Sequence, residues 1–395
     1  MDTDLHKNSG ALFFLSAAFF LCGLITVFNG ILLSYLKPIL QVGNTLLSLI
    51  PIAFYTAYLL CSPVVGTLFK GKNILKGLRA GLFIGFLAFP IVLLSEEIPN
   101  FFTVVSMIFI LGIGIATIQV CGNPYVMQLR SDPAKNMILV HAATALGMIV
   151  SPYLGSFILF EGSFRLSYSL IGLISGLLLL ISYILILPEP SPANSNRKEK
   201  GENSYFPALK ERVVLWGMAG IAAAVGVEVS CAYSLLPYLS SGEILHTDPA
   251  TAGRISCLFW ILFTGGRILG PGFLKKFGEE KSLFLFSASG MVLCTSLFFS
   301  SGYLGAFAVL SLGFSCSILF PVIFGMTLEK CKADKTKVSG LLCMANIGGA
   351  FFPLIQSLLV DHFTLIFSMI VPFSAFAVIA LYSIKITKRF EVTVS

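Results

Sequence analysis

Apolar stretches of about twenty residues, the length that crosses a bilayer as a helix, recur twelve times along this chain. They lie at 11–36, 46–68, 77–95, 101–128, 137–160, 166–187, 213–239, 251–273, 282–300, 304–328, 338–360 and 364–386. No water-soluble fold buries that many consecutive apolar residues. In hydrocarbon the backbone must satisfy its own hydrogen bonds, which leaves closed barrels or helices. The continuous apolar character of these runs, without alternation, selects helices. Charged residues make up 11% of the chain, against about 25% in soluble domains. The expected fold is therefore an all-α membrane protein of twelve transmembrane helices.

Basic residues fix the expected orientation. Of the 26 Lys and Arg, all but Lys37, Arg165 and Arg254 fall in segments on one side of the membrane if the N-terminus is cytoplasmic. Positive residues collect in cytoplasmic loops, so both termini are expected inside. The net charge of +7 then belongs to these loops, and no nucleic-acid partner is expected. The start Met-Asp-Thr-Asp-Leu-His-Lys lacks a basic leader region and a cleavage site, so the first run reads as a retained span. Nine cysteines sit mostly in apolar stretches with no CxxC spacing, and read as small buried residues without metal or cofactor.

A polar, Pro-rich, charged stretch from Pro188 to Ser204 reads as a flexible linker. It divides the chain into residues 1–188, a cytoplasmic linker at 189–212, and residues 213–395, six spans on either side. The two parts echo each other. Gly147, Pro152 and Ser156 of span 5 recur as Gly348, Pro353 and Ser357 of span 11, all offset by 201 residues. Gly66 and Lys70 after span 2 are echoed by Gly270 and Lys275 after span 8. A parallel repeat of six-helix bundles is the plan of carriers that work by alternating access, with the solute site near the midplane.

Several side chains suit such a site. Glu228 is the one acidic residue deep inside an apolar span. A carboxylate there costs about 2.5–3.5 kcal/mol on insertion scales and marks a cavity or a partner. Ala224, Gly220 and Cys231 share its small-residue face. On span 4, Gln119 and Asn123 lie four apart on one helical face, and amides both donate and accept, as a polyhydroxy ligand requires. Asn29 sits in the middle of span 1 with Thr26 one turn before it, and His141 near the start of span 5. Tyr233 and Trp260 offer stacking faces for a sugar ring, and Asn346 and Gln356 of span 11 are further polar candidates. Each has a plainer role open to it, in interhelical hydrogen bonding or packing. Lys70, Arg79, Arg267 and Lys275, at the inner ends of spans 2, 3 and 8, are expected at an inner gate. Only four histidines occur and no nucleophile motif is evident, which argues against a membrane enzyme.

Four stretches carry a resemblance. Ile118-Gln-Val-Cys-Gly-Asn-Pro-Tyr-Val126, Val225-Gly-Val-Glu-Val-Ser230, Ser317-Ile-Leu-Phe-Pro-Val-Ile-Phe324 and Gly340-Leu-Leu-Cys-Met-Ala-Asn-Ile-Gly-Gly-Ala350 resemble spans 4, 7, 10 and 11 of the fucose–galactose–glucose:proton symporters. This is a branch of the major facilitator superfamily, and its glucose/galactose members look most similar. The resemblance implies a monomeric secondary carrier in a bacterial cytoplasmic membrane. It would import a small polar solute of the hexose type with H⁺ or Na⁺, the cation cycling at Glu228. The departures leave a second outcome open, a uniporter or a carrier of another small metabolite. Asn29-Gly30 stands where fucose members have an Asn-Asp pair, and Gln119 where they carry an acid. Ile138, His141 and Thr144 replace Asn, Gln and Asn. Pro237 stands where asparagine is common, and Asn346 where the family is usually apolar.

Overall fold

The computed structural model describes residues 2–69, 74–94, 100–129, 133–160, 163–185, 187–188, 206–242, 244–333 and 335–391. Among these the regular structure is helical throughout. Eleven spans have the length and hydropathy to cross a membrane: Ser9–Leu40, Asn44–Gly66, Ile74–Leu94, Phe101–Asn123, Leu139–Phe160, Phe164–Ile184, Arg212–Leu239, Pro249–Phe277, Gly302–Lys330, Gly340–His362 and Phe367–Ile384. The twelfth is the helix Glu279–Ser296, whose first turn holds Glu279, Glu280 and Lys281. Three charges in a short helix lower its apolar character without changing its place in the fold. We number these spans 1–12 in chain order, the Glu279–Ser296 helix being span 9.

Local chemistry explains several helix starts. The first N–H groups of a helix have no partner within it, and short polar side chains supply one. Asn100 accepts from the Thr103 N–H at 2.9 Å ahead of span 4, Ser163 from Leu166 at 3.0 Å ahead of span 6, and Asp248 from Thr251 at 3.0 Å ahead of span 8. Breaks are as informative. Span 10 runs as Gly302–Cys316 and Leu319–Lys330 with an interruption at Ser317-Ile318, and span 11 passes through a 3-10 turn at Ala345–Ile347. Pro321 lacks the N–H that would bond the Ser317 carbonyl four residues back, which accounts for the break in span 10.

The chain packs as two units. One comprises Met1–Leu32 with Ala53–Asn203, the other Leu33–Ile52 with Ser204–Ser395. In the first unit, a β-carbon on Gly147 of span 5 would collide with the Phe20 carbonyl oxygen of span 1. In the second, a β-carbon on Gly348 of span 11 would collide with the Ala222 carbonyl oxygen of span 7. The glycines are 201 residues apart and their partners 202, so the repeat legible in the sequence recurs as the same backbone contact in each unit. Small residues of this kind let membrane helices approach at backbone distance. Ser151 adds a bond from span 5 to the Leu24 carbonyl of span 1 at 2.7 Å.

Candidate functional site

In the first unit the polar candidates divide by burial and partner. Asn29 is fully buried in span 1, and neither atom of its amide has a protein partner. Thr26, one turn earlier, spends its hydroxyl on the Cys22 carbonyl at 2.8 Å, so it gives Asn29 no help. On span 4, Gln119 and Asn123 are half-buried, and the Asn123 Oδ1 is enclosed without a donor. Gly112, on the same helix face, is taken up by span 2, its β position 2.8 Å from the Phe54 carbonyl oxygen. A buried polar group left unpaired costs about 1–3 kcal/mol. Asn29 and Asn123 therefore hold hydrogen-bonding capacity that the protein itself does not use. His141 is exposed at the third residue of span 5, its ring edge against Phe19 with centroids 5.6 Å apart. The side chain of Ile138 lies outside the described residues.

In the second unit Glu228 is half-buried in a stretch of span 7 where Ala223 to Val227 and Val229 to Cys231 are all buried. Its carboxylate lies within electrostatic range of Arg267 on span 8 and of the Cys231 and Cys316 thiols. Arg267 is half-buried; its Nε donates to the Ser317 carbonyl at 3.2 Å and its guanidinium lies 4.3 Å from the centre of the Phe263 ring. Span 8 fits closely at the same place, with the β position of Gly270 only 2.8 Å from Ile318. The carboxylate, the guanidinium and the break in span 10 thus form one cluster.

The remaining candidates serve differing local roles. Tyr233 is half-buried. Trp260 is 3% exposed and enclosed by Phe259 and Phe263 in edge-to-face contacts of 5.0 and 5.3 Å, which leaves little of its face for a ligand. Gln356 is buried, and its Nε2 donates to the Ser234 hydroxyl of span 7 at 2.8 Å and lies 3.5 Å from the Ser368 hydroxyl. Asn346 sits in the 3-10 turn of span 11 with its Oδ1 enclosed and unpartnered.

The basic residues expected at an inner gate also separate. Lys70 lies outside the described residues, and Lys275 is exposed at the end of span 8. Arg79 ties span 3 to the end of span 6: its Nη2 donates to the Ser182 carbonyl at 2.7 Å and its guanidinium sits 4.1 Å from the Tyr183 ring centre. Arg267 donates to Ser317 and lies within electrostatic range of Glu228 in its own unit. Nothing adjacent to Arg267 in the chain points to that partnership. Its one sequence signal was Pro321, which predicts a free carbonyl at Ser317 without saying what takes it.

Comparison with known proteins agrees with this architecture. Residues 14–343 match the family model of the Major Facilitator Superfamily. The chain is 29% identical to a glucose/galactose transporter of Brucella abortus, covering 97% of this chain and 96% of that protein. It is 30% identical to a putative glucose/galactose transporter of Helicobacter pylori, covering 98% of each. Among solved structures, the Major Facilitator Superfamily transporter FucP in the outward conformation aligns with a TM-score of 0.70 at 24% identity, over 94% of this chain and 97% of that one. Duplicated helical units, a family match over most of the length and full-length relatives lead to one assignment: the chain belongs to the Major Facilitator Superfamily.

Proposed function

We propose that this transporter imports a hexose of the glucose or galactose type together with a cation, H⁺ or Na⁺, cycling at Glu228. The observation that carries the reading is Glu228 itself, a half-buried carboxylate in an otherwise buried stretch of span 7, within electrostatic range of the Arg267 guanidinium. A carboxylate in that setting retains the freedom to gain and lose a cation. The unpaired amide of Asn29 and the unpaired Oδ1 atoms of Asn123 and Asn346, together with Gln119 of span 4 and Tyr233 of span 7, offer donors and acceptors of the kind a sugar needs. His141, Trp260 and Gln356 are better explained by a surface position, an aromatic cluster and an interhelical bond.

The working unit in this reading is a monomer in a bacterial cytoplasmic membrane. Two six-span bundles, residues 1–188 and 213–395, rock about the site, with both termini and the linker 189–212 inside. Arg79 and Lys275, with Lys70, steady the inner ends of the spans. Glu228→Gln is expected to abolish accumulation of labelled D-glucose or D-galactose against a gradient in proteoliposomes while sparing counterflow exchange. Undiminished accumulation by that variant removes the coupling role. A uniporter is favoured instead if the wild type equilibrates sugar but never concentrates it. The absence of an acid at Gly30 and Gln119 motivates that second outcome.

A further inference from the structure

Span 2 begins at Gly43-Asn44-Thr45, and Gly43 has no side chain with which to cap it. The cap comes from Asp361, more than 300 residues along the chain at the end of span 11. Its Oδ1 accepts from the Asn44 N–H at 2.9 Å and from Asn44 Nδ2 at 2.6 Å. Its Oδ2 accepts from the Thr45 N–H at 2.7 Å and from Thr45 Oγ1 at 2.6 Å. A carboxylate offers about four acceptor positions, so this one is fully used. Gly43 is part of the fit, since a β-carbon there would lie 3.2 Å from Asp361 Oδ2. Residues 33–52, which by chain connection belong with spans 1 and 2, pack in the unit that holds Asp361, whereas both flanking segments pack in the other.

A carrier that works by alternating access closes one face while the other opens. A contact made by a short stretch that packs away from its own flanking helices is one that such motion must release. We infer that Asp361 is a latch: its four bonds hold residues 33–52 in place in one closed state, on the face that the distribution of basic residues places outside, and they break when that face opens. This rests on the carrier reading but not on the identity of the solute.

The test is hydrogen–deuterium exchange of the full-length protein in nanodiscs, comparing wild type, Asp361→Asn and Asp361→Glu, alongside D-glucose counterflow in proteoliposomes. The latch predicts that Asp361→Asn speeds exchange at least tenfold in peptides across the whole of 33–52, with spans 7–10 and 12 unchanged, and that Asp361→Glu recovers most of the protection. Faster exchange confined to the amides of Asn44 and Thr45 would make Asp361 a local cap and overturn the latch, as would no change at all. Faster exchange along the entire chain in both variants would make it a folding residue and overturn it equally. If the wild type moves no D-glucose, the hexose reading fails while the exchange pattern still decides the latch.

Discussion

Arg267 Nε donates to the Ser317 carbonyl oxygen at 3.2 Å, and Pro321 is what leaves that oxygen free. A guanidinium that satisfies a broken helix while lying within range of the Glu228 carboxylate joins the shape of span 10 to the charge on span 7. Lysine keeps the charge but has no planar fork with an Nε donor. A hydrogen bond involving a charged group contributes about 1.5–3 kcal/mol, a factor of about ten to a hundred at 1.4 kcal/mol per decade. Arg267→Lys is therefore expected to lower sugar counterflow about tenfold while eluting as a folded monomer in detergent. Counterflow within twofold of wild type would show that the bond to Ser317 carries no part of transport.

Much of this was legible from residue patterns because membranes impose simple rules. Span length and the offset of Gly147 and Gly348 each report a local or periodic constraint, and the helices and the repeated backbone contact follow them. Glu228 was legible because a carboxylate in hydrocarbon needs a reason. Span 9 was legible as an apolar run although Glu279, Glu280 and Lys281 weaken its first turn. The partners were not legible. Nothing near Asp361 in sequence points to Asn44, and nothing near Gln356 points to Ser234, because these pairings are set by which helices become neighbours. Trp260 looked like a sugar platform for want of the knowledge that Phe259 and Phe263 close around it.

The paired glycine contacts make a stability prediction. A β-carbon at Gly348 would collide with the Ala222 carbonyl oxygen, and one at Gly147 with that of Phe20. Backbone atoms cannot swing aside as a side chain can, so the helices must separate. Overpacking of this kind costs about 1–3 kcal/mol. Gly348→Ala and Gly147→Ala are each expected to lower the melting temperature in detergent by several degrees. Gly265, whose β position meets nothing within 4 Å, should tolerate alanine unchanged and serves as the control.

Gln356 tests whether a polar residue in span 11 works for the fold or for the solute. Its Nε2 reaches the Ser234 hydroxyl at 2.8 Å, and Ser234 in turn donates to the Ser230 carbonyl at 2.9 Å. Interhelical bonds in membranes average about 0.6 kcal/mol. Gln356→Leu should cost only a degree or two in melting temperature and leave the apparent KM for D-glucose within twofold. A tenfold rise in KM would return Gln356 to the set of residues that touch sugar.

Asp248 gives a pH dependence whose sign is fixed by the structure. It lies exposed ahead of span 8, where hydrogen bonds from the Thr251 side chain and backbone N–H hold its carboxyl below the ordinary carboxylate value of 3.8. A group whose value is lowered by folding stabilises the fold above its unfolded value and loses that contribution as pH falls through the folded one. The cap therefore acts in full at neutral pH and weakens only below about pH 4. Asp248→Ala should melt below wild type at pH 7, and the gap should narrow as the pH is taken from 5 to 3. Asp248→Asn keeps an oxygen for the Thr251 N–H, so it should stay near wild type and show a flatter profile across the same range. A gap between wild type and Asp248→Ala that is constant with pH would mean that the carboxylate charge contributes nothing to the start of span 8.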